Sequence, residues 1–89
     1  MIERRLEIVN KLGLHARAAA KLVATASRYG ARIELEREGR VVNAKSIMGV
    51  MMLAASRGTT VVLRAEGEDA AEAAEAIAAL VADRFGESE

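Results

Sequence analysis

The sequence predicts an α+β domain in which a four-stranded antiparallel sheet carries three helices on one face, in the chain order βαββαβα. Two hydrophobic periodicities appear along the chain: apolar residues at every second position in "IERRLEIV" and "ARIELER", and at helical spacing from His15 to Tyr29 and in the C-terminal "GEDAAEAAEAIAALVADRF". The connections between these segments are short, and few of the strand-to-strand links lack a helix, which suits helices gathered on one side of an antiparallel sheet. No Pro- or Ser-rich linker and no internal repeat interrupts the pattern, so residues 1–89 read as a single domain.

Taken in order, "IERRLEIV" alternates with Leu6 and Ile8 on one face and predicts the first strand. From His15 to Tyr29, Ala19, Leu22, Val23 and Ala26 recur at helical spacing, and Gly30 is expected to close that helix in the left-handed conformation. "ARIELER" points Ile33 and Leu35 inward, Glu38-Gly39 is a turn signal, and "RVVN" returns as the partner strand. Ser46 has the character of an N-cap for a short helix "IMGVMMLAAS" that Gly58 closes. "TTVVLRAE" is the fourth strand. The last helix, "GEDAAEAAEAIAALVADRF", has Asp69 and Glu72 at capping-box spacing and Ala73, Ile77, Leu80 and Val81 as its buried stripe. Arg84 suits the negative end of its dipole.

Composition removes several classes of function. Charged residues are 29 % of the chain but balance to a net charge of zero and are scattered, so the basic stripe that nucleic acid requires is missing. One Tyr and one Phe make no base-stacking platform. The absence of cysteine excludes disulfides and thiolate chemistry. A single histidine makes a catalytic zinc site untenable, and no metal or other cofactor is expected. No apolar run approaches the roughly 20 residues of a membrane span, and the N-terminus lacks an apolar signal stretch. The expectation is a cytoplasmic protein that does not insert into membranes.

The sole histidine, His15, falls where a loop turns into the first helix, in "NKLGLHARAAAKL". The first N–H groups of a helix lack intrahelical partners and carry the positive end of its dipole, so they favour an anion, phosphate especially, and disfavour imidazolium. A neutral imidazole there can attack a phosphoryl group, and the product is an anion that the helix end welcomes. Arg17 offers a guanidinium to phosphoryl oxygens. Residues two apart do not share a helix face. His15 must therefore lie outside the helix proper, with Gly13 bending the approach and the alanines at 16, 18, 19 and 20 leaving the surroundings open. A helix cap without chemistry is the plain alternative. No companion carboxylate, serine or cysteine is expected beside His15 to make it part of a stand-alone enzyme, since Asp and Glu cluster away from this segment.

"GLHARAAAKL" closely resembles the active-site segment of the HPr family, the histidine-containing phosphocarriers of the bacterial phosphoenolpyruvate:sugar phosphotransferase system. "NAKSIMGVMML" resembles that family's regulatory serine segment, and the spacing of the two extends the resemblance over the whole chain. It implies an open-faced β-sandwich with strand order 1-4-2-3. It implies that His15 is the phosphoacceptor, modified at Nδ1, with Arg17 stabilising the phosphate. It further implies transfer from phospho-enzyme I to enzyme IIA domains of sugar transporters, with no net chemistry by the carrier alone. The family pattern usually has proline where this chain has Ala18. In the first helical turn proline sacrifices no hydrogen bond, so the exchange removes no chemical group.

Ser46 reads as a helix cap from its residue type. The resemblance adds a regulatory site for a serine kinase. Ile47, Met48 and Met51 could form an apolar patch, with Val50 and Leu53 in the core and Met52 open to either side. The resemblance makes that patch, with the helix of Arg17, the docking surface for enzyme I and enzyme IIA. Ala20 belongs to that helix surface, while Lys21, Arg28 and Lys45 could supply a positive rim for acidic partners. A monomer is expected. The rival readings are a regulatory HPr-like paralogue, of a nitrogen branch or a signalling form, and a non-catalytic interaction module. Retention of His15 argues against purely regulatory forms that have lost it, "KSIMGVM" favours the sugar branch over the nitrogen branch, and an interaction module would leave the pairing of His15 with Arg17 unexplained.

Overall fold

The computed structural model describes residues 1–89. Its elements are β1 (Ile2–Glu7), α1 (Ala16–Ala26), β2 (Arg32–Arg37), β3 (Arg40–Asn43), α2 (Ile47–Met52), β4 (Thr60–Glu66) and α3 (Ala70–Ala82), followed by a short 3₁₀ turn, Arg84–Gly86. The sheet runs β1-β4-β2-β3 with every pair antiparallel. This is the order that the resemblance implied.

The alternating pattern decides which face is covered. Leu6, Ile33, Leu35, Val61, Leu63 and Ala65 point into one core beneath the helices, all of them buried. On the opposite face Arg64 donates from Nε to Glu3 and from an Nη to Glu36, at 3.0 and 2.5 Å, tying three adjacent strands together. Its position opposite Glu3 in the β1–β4 register makes the first pair direct. Alanine is abundant on the inner faces of the helices: Ala18, Ala19, Ala26, Ala73 and Ala74 are buried. Short side chains there let α1 and α3 pack closely. The β2–β3 hairpin turns through Glu38 and Gly39 with φ 51° and 83°, the primed geometry whose twist matches the strands.

The helix ends depart from expectation. Helix α1 stops at Ala26, and Gly30 has no positive φ; its N–H instead donates to Asp69 Oδ2 at 2.9 Å. Helix α2 stops at Met52 rather than continuing to Ser56, since Ala54 turns left-handed at φ 50°. Gly58 belongs to the turn into β4, donating to the Ile8 carbonyl at 2.7 Å. Helix α3 ends at Ala82, and Arg84, Phe85 and Gly86 follow with φ 56°, 55° and 77°. That reversal is needed to drive Phe85 into the core, where it is fully buried. Arg84 therefore lies outside the last helical turn. Of the expected stripe of α3, Leu80 is only partly buried, and Ala70 and Ala74 complete the apolar face.

Asp69 precedes α3 but its side chain makes no cap bond to that helix. Its two carboxylate oxygens accept the N–H groups of Gly30 and Ala31, each at 2.9 Å. Those donors enter β2 with no backbone partner, so the carboxylate satisfies them in place of its own helix. Asp69→Ala is expected to lose roughly 1–3 kcal/mol, a fall of several degrees in Tm. Glu72→Ala is expected to stay within about 0.5 kcal/mol. Thermal melts showing equal losses at both positions would restore the capping-box reading.

Candidate functional site

The approach to α1 is fixed by glycine. Gly13 has φ 66°, and a Cβ on it would lie 2.4 Å from the Ala55 carbonyl oxygen and 2.8 Å from Ser56 Cα. The same carbonyl accepts the Leu14 N–H at 2.9 Å, which pins the loop against the turn after α2. His15 then takes extended angles, φ −73° and ψ 178°, as the N-cap of α1. It stands outside the helix, as the spacing to Arg17 required.

His15 Nδ1 accepts the backbone N–H of Arg17 at 3.3 Å. The His15 carbonyl takes the Ala19 N–H at 2.8 Å, while the N–H groups of Ala16 and Ala18 enter no backbone hydrogen bond. Orphan donors and the positive dipole end therefore surround Nδ1. Ala18 N–H has no carbonyl partner, so a proline at this position would sacrifice no backbone hydrogen bond. Arg17 meets the imidazole through its main chain. Its exposed guanidinium shares with His15 a shallow cleft of about 640 Å³ that also includes Lys11, Leu12, Glu87 and Glu89. The alanines do not all leave the surface low: Ala16 and Ala20 are exposed, whereas Ala18 and Ala19 are core residues.

A carboxylate that no local sequence signal placed here completes the site. Glu87 Oε2 lies 2.5 Å from His15 Nε2, with the two side chains 17 % and 26 % exposed. Its other oxygen accepts from Asn10 Nδ2 at 3.0 Å. Asn10 is the one fully buried polar residue, and its second N–H goes to the Gly13 carbonyl at 2.9 Å. The expectation that acidic residues stay away from His15 is thus corrected. The left-handed turn at Arg84–Gly86 carries the C-terminal segment back over the start of α1.

With Nδ1 accepting and Nε2 facing a carboxylate, the neutral ring carries its hydrogen on Nε2 and its lone pair on Nδ1. The hydrogen bond from Asn10, and then that from His15, hold the Glu87 carboxyl below its ordinary value of 4.5. The carboxylate is ionised at neutral pH.

The second group of expected residues lies on the neighbouring helix. Ser46 caps α2, its Oγ accepting the Gly49 N–H at 3.1 Å. Ile47, Met48, Met51 and Met52 are exposed, so this helix does not bury all its apolar residues, while Val50 and Leu53 are core. Helix α2 packs against α1. The two lysines of the expected rim are engaged within the chain: Lys21 Nζ donates to the Phe85 carbonyl at 2.6 Å and Lys45 Nζ to the Tyr29 carbonyl at 2.7 Å. Arg28 is exposed, and no helix is long and apolar enough to cross a membrane.

Residues 2–83 match the family described as the PTS HPr component phosphorylation site, a match that stops before Glu87. The phosphocarrier protein HPr of Cupriavidus necator is 55 % identical over 89 residues, covering both chains in full. Among solved structures, HPr-C-His from Thermoanaerobacter tengcongensis superposes with a TM-score of 0.96 at 49 % identity, again over both full chains. Crh of Bacillus subtilis, solved as a swapped dimer, gives a TM-score of 0.76 at 49 % identity over 94 % of this chain and 97 % of that one.

Because folding lowers the Glu87 value, the carboxylate contributes stability above the ordinary glutamate range, and that contribution fades as pH falls through the folded value. Glu87→Gln should therefore melt below the wild type near neutral pH, with the gap narrowing as pH falls below the ordinary glutamate range. A gap of constant size across that range would contradict the ionised contact.

Proposed function

The chain belongs to the HPr family of the phosphotransferase system, and we propose that Nδ1 of His15 is the atom on which it carries a phosphoryl group. The group comes from phospho-enzyme I and leaves to enzyme IIA domains of sugar transporters. The observation that carries the residue assignment is the Arg17 N–H aimed at Nδ1 at the mouth of α1. That atom has the lone pair, and the free N–H groups beside it can receive phosphoryl oxygens as charge arrives. Arg17 adds its guanidinium from the same cleft. The carrier conserves the phosphoryl group and does no net chemistry without its partners. The location proposed is the cytoplasm, and the working form proposed is a monomer; the swapped dimer describes Crh.

Exposed Ile47, Met48 and Met51, together with Ala20 of α1, form the docking patch of this reading. Methionine suits a surface that must fit more than one partner. Lys21 and Lys45 stiffen the rim of that patch through their carbonyl bonds, while their charge still favours acidic partners. Ser46 has two roles in this account: a cap in the unmodified chain and a site for a serine kinase. A phosphate there would place negative charge beside the patch.

Incubation with phosphoenolpyruvate and enzyme I should add one phosphoryl group, labile in acid and stable in base, and His15→Ala should abolish the intact-mass shift. Arg17→Ala should slow transfer by about one to two decades, the scale of one charge-assisted hydrogen bond of roughly 1.5–3 kcal/mol. Label persisting on the His15 variant, or unchanged rates in the Arg17 variant, would overturn the respective role.

Ser46→Asp should keep the melting temperature, since Asp caps as well as Ser. It should weaken phosphoacceptance mainly through association with enzyme I. Ser46→Ala should cost up to about 1 kcal/mol of stability while transferring almost normally. Rates measured over a range of carrier concentrations decide this: Ser46→Asp behaving as wild type leaves the serine as a cap alone.

A further inference from the structure

We propose that Glu87 is a positioning residue for the transfer, holding the His15 ring as the Nε2–H tautomer and balancing the positive charge that the ring acquires. The proposal rests on His15 being the acceptor and adds a group beyond the family match.

The contact is held from several sides. Glu87 Oε1 is fixed by Asn10 Nδ2, and Asn10 is also bonded to the Gly13 carbonyl in the loop that bears His15. Buried Phe85 anchors the segment, Lys21 Nζ holds its carbonyl, and the Lys11 N–H donates to the Glu89 carbonyl at 3.0 Å. Two non-glycine residues in a row, Arg84 and Phe85, are left-handed in the turn that buries the phenyl ring and leads to the carboxylate. Such residues cost about 1–2 kcal/mol each, and the buried phenyl ring offsets that cost.

The chemistry follows from which nitrogen holds the hydrogen. The Nδ1 lone pair forms the N–P bond as the bond from phosphorus to the donor breaks, its electron pair leaving with the donor. The Nε2 hydrogen stays, so the ring becomes a phosphorylated imidazolium opposite the Glu87 carboxylate. On delivery the N–P bond breaks and its pair returns to Nδ1, leaving neutral imidazole as the leaving group. No proton moves in either direction. The carboxylate orients the ring and stabilises the cationic state, as the buried acid of a hydrolase triad does for its histidine.

The test uses the full chain and its Glu87→Ala and Glu87→Gln variants, which retain Phe85 and its anchor. Transfer rates from phospho-enzyme I and to an enzyme IIA domain are measured beside ¹⁵N spectra of His15. Both variants should be slowed in both directions, by roughly tenfold for the loss of a charge-assisted contact. The Nε2 resonance of Glu87→Ala should move from its wild-type position. Glu87→Ala transferring at the wild-type rate overturns the proposal and leaves the phosphocarrier reading intact. Full rescue of the rate by Glu87→Gln, which keeps the shape and removes the charge, overturns the charge-balancing role. A wild-type chain that takes up no phosphoryl group overturns both readings.

Discussion

Helix α1 begins with N–H groups that no carbonyl behind it can reach, and the imidazole of His15 is folded back to meet one of them. Much of the site follows from this local need. To cap the helix, His15 must leave helical angles, which requires the loop before it to turn sharply at Gly13. Once Nδ1 accepts the Arg17 N–H, the reactive lone pair sits among unpaired donors at the positive end of the dipole. Placing the cap fixes both the nucleophilic atom and the surroundings of the anion it would carry. Serine, threonine or aspartate would cap the helix too, but none of them offers a ring nitrogen that can hold and release phosphorus.

The rest of the molecule holds that corner in place. The sheet buries one face and leaves the other to the Glu3–Arg64–Glu36 ion ladder, so the helices have a single surface on which to settle. Alanines on α1 and α3 bring the helices close, and α3 ends where Phe85 can close the core beside α1. Asn10 connects the loop and the tail at a price, since its buried Oδ1 has no hydrogen-bond partner. A buried polar atom left unpaired costs about 1–3 kcal/mol. Its two N–H bonds, to Gly13 and Glu87, are what that cost maintains.

Strand alternation and the starts of α1 and α2 were legible in the sequence because they depend on neighbours. Leu6, Ile33 and Leu35 point inward because a pleated strand alternates. His15 and Ser46 are caps because the helix after each needs an acceptor. The Glu38-Gly39 turn is written in residue types that tolerate positive φ. Helix ends were less legible, because tertiary partners decide them. Gly30 gives its N–H to Asp69 across the fold instead of closing α1, and Asp69 thereby deserts its own helix. Glu87 was illegible for a stronger reason. It reaches His15 from 72 positions away, through left-handed angles at an arginine and a phenylalanine whose residue types announce no turn. The one available signal was Phe85, the sole phenylalanine, standing at the edge of a polar tail.

The central claim concerns one atom: phosphorus is bound at Nδ1 of His15, where the Arg17 N–H can turn from the ring nitrogen to a phosphoryl oxygen. Phosphorus-coupled ¹⁵N spectra of the uniformly labelled, phosphorylated chain measure this directly. The account predicts one-bond coupling of ³¹P to Nδ1, a hydrogen retained on Nε2, and a large shift of the Arg17 amide resonance on phosphorylation. Coupling to Nε2, with the Arg17 amide unmoved, would contradict it.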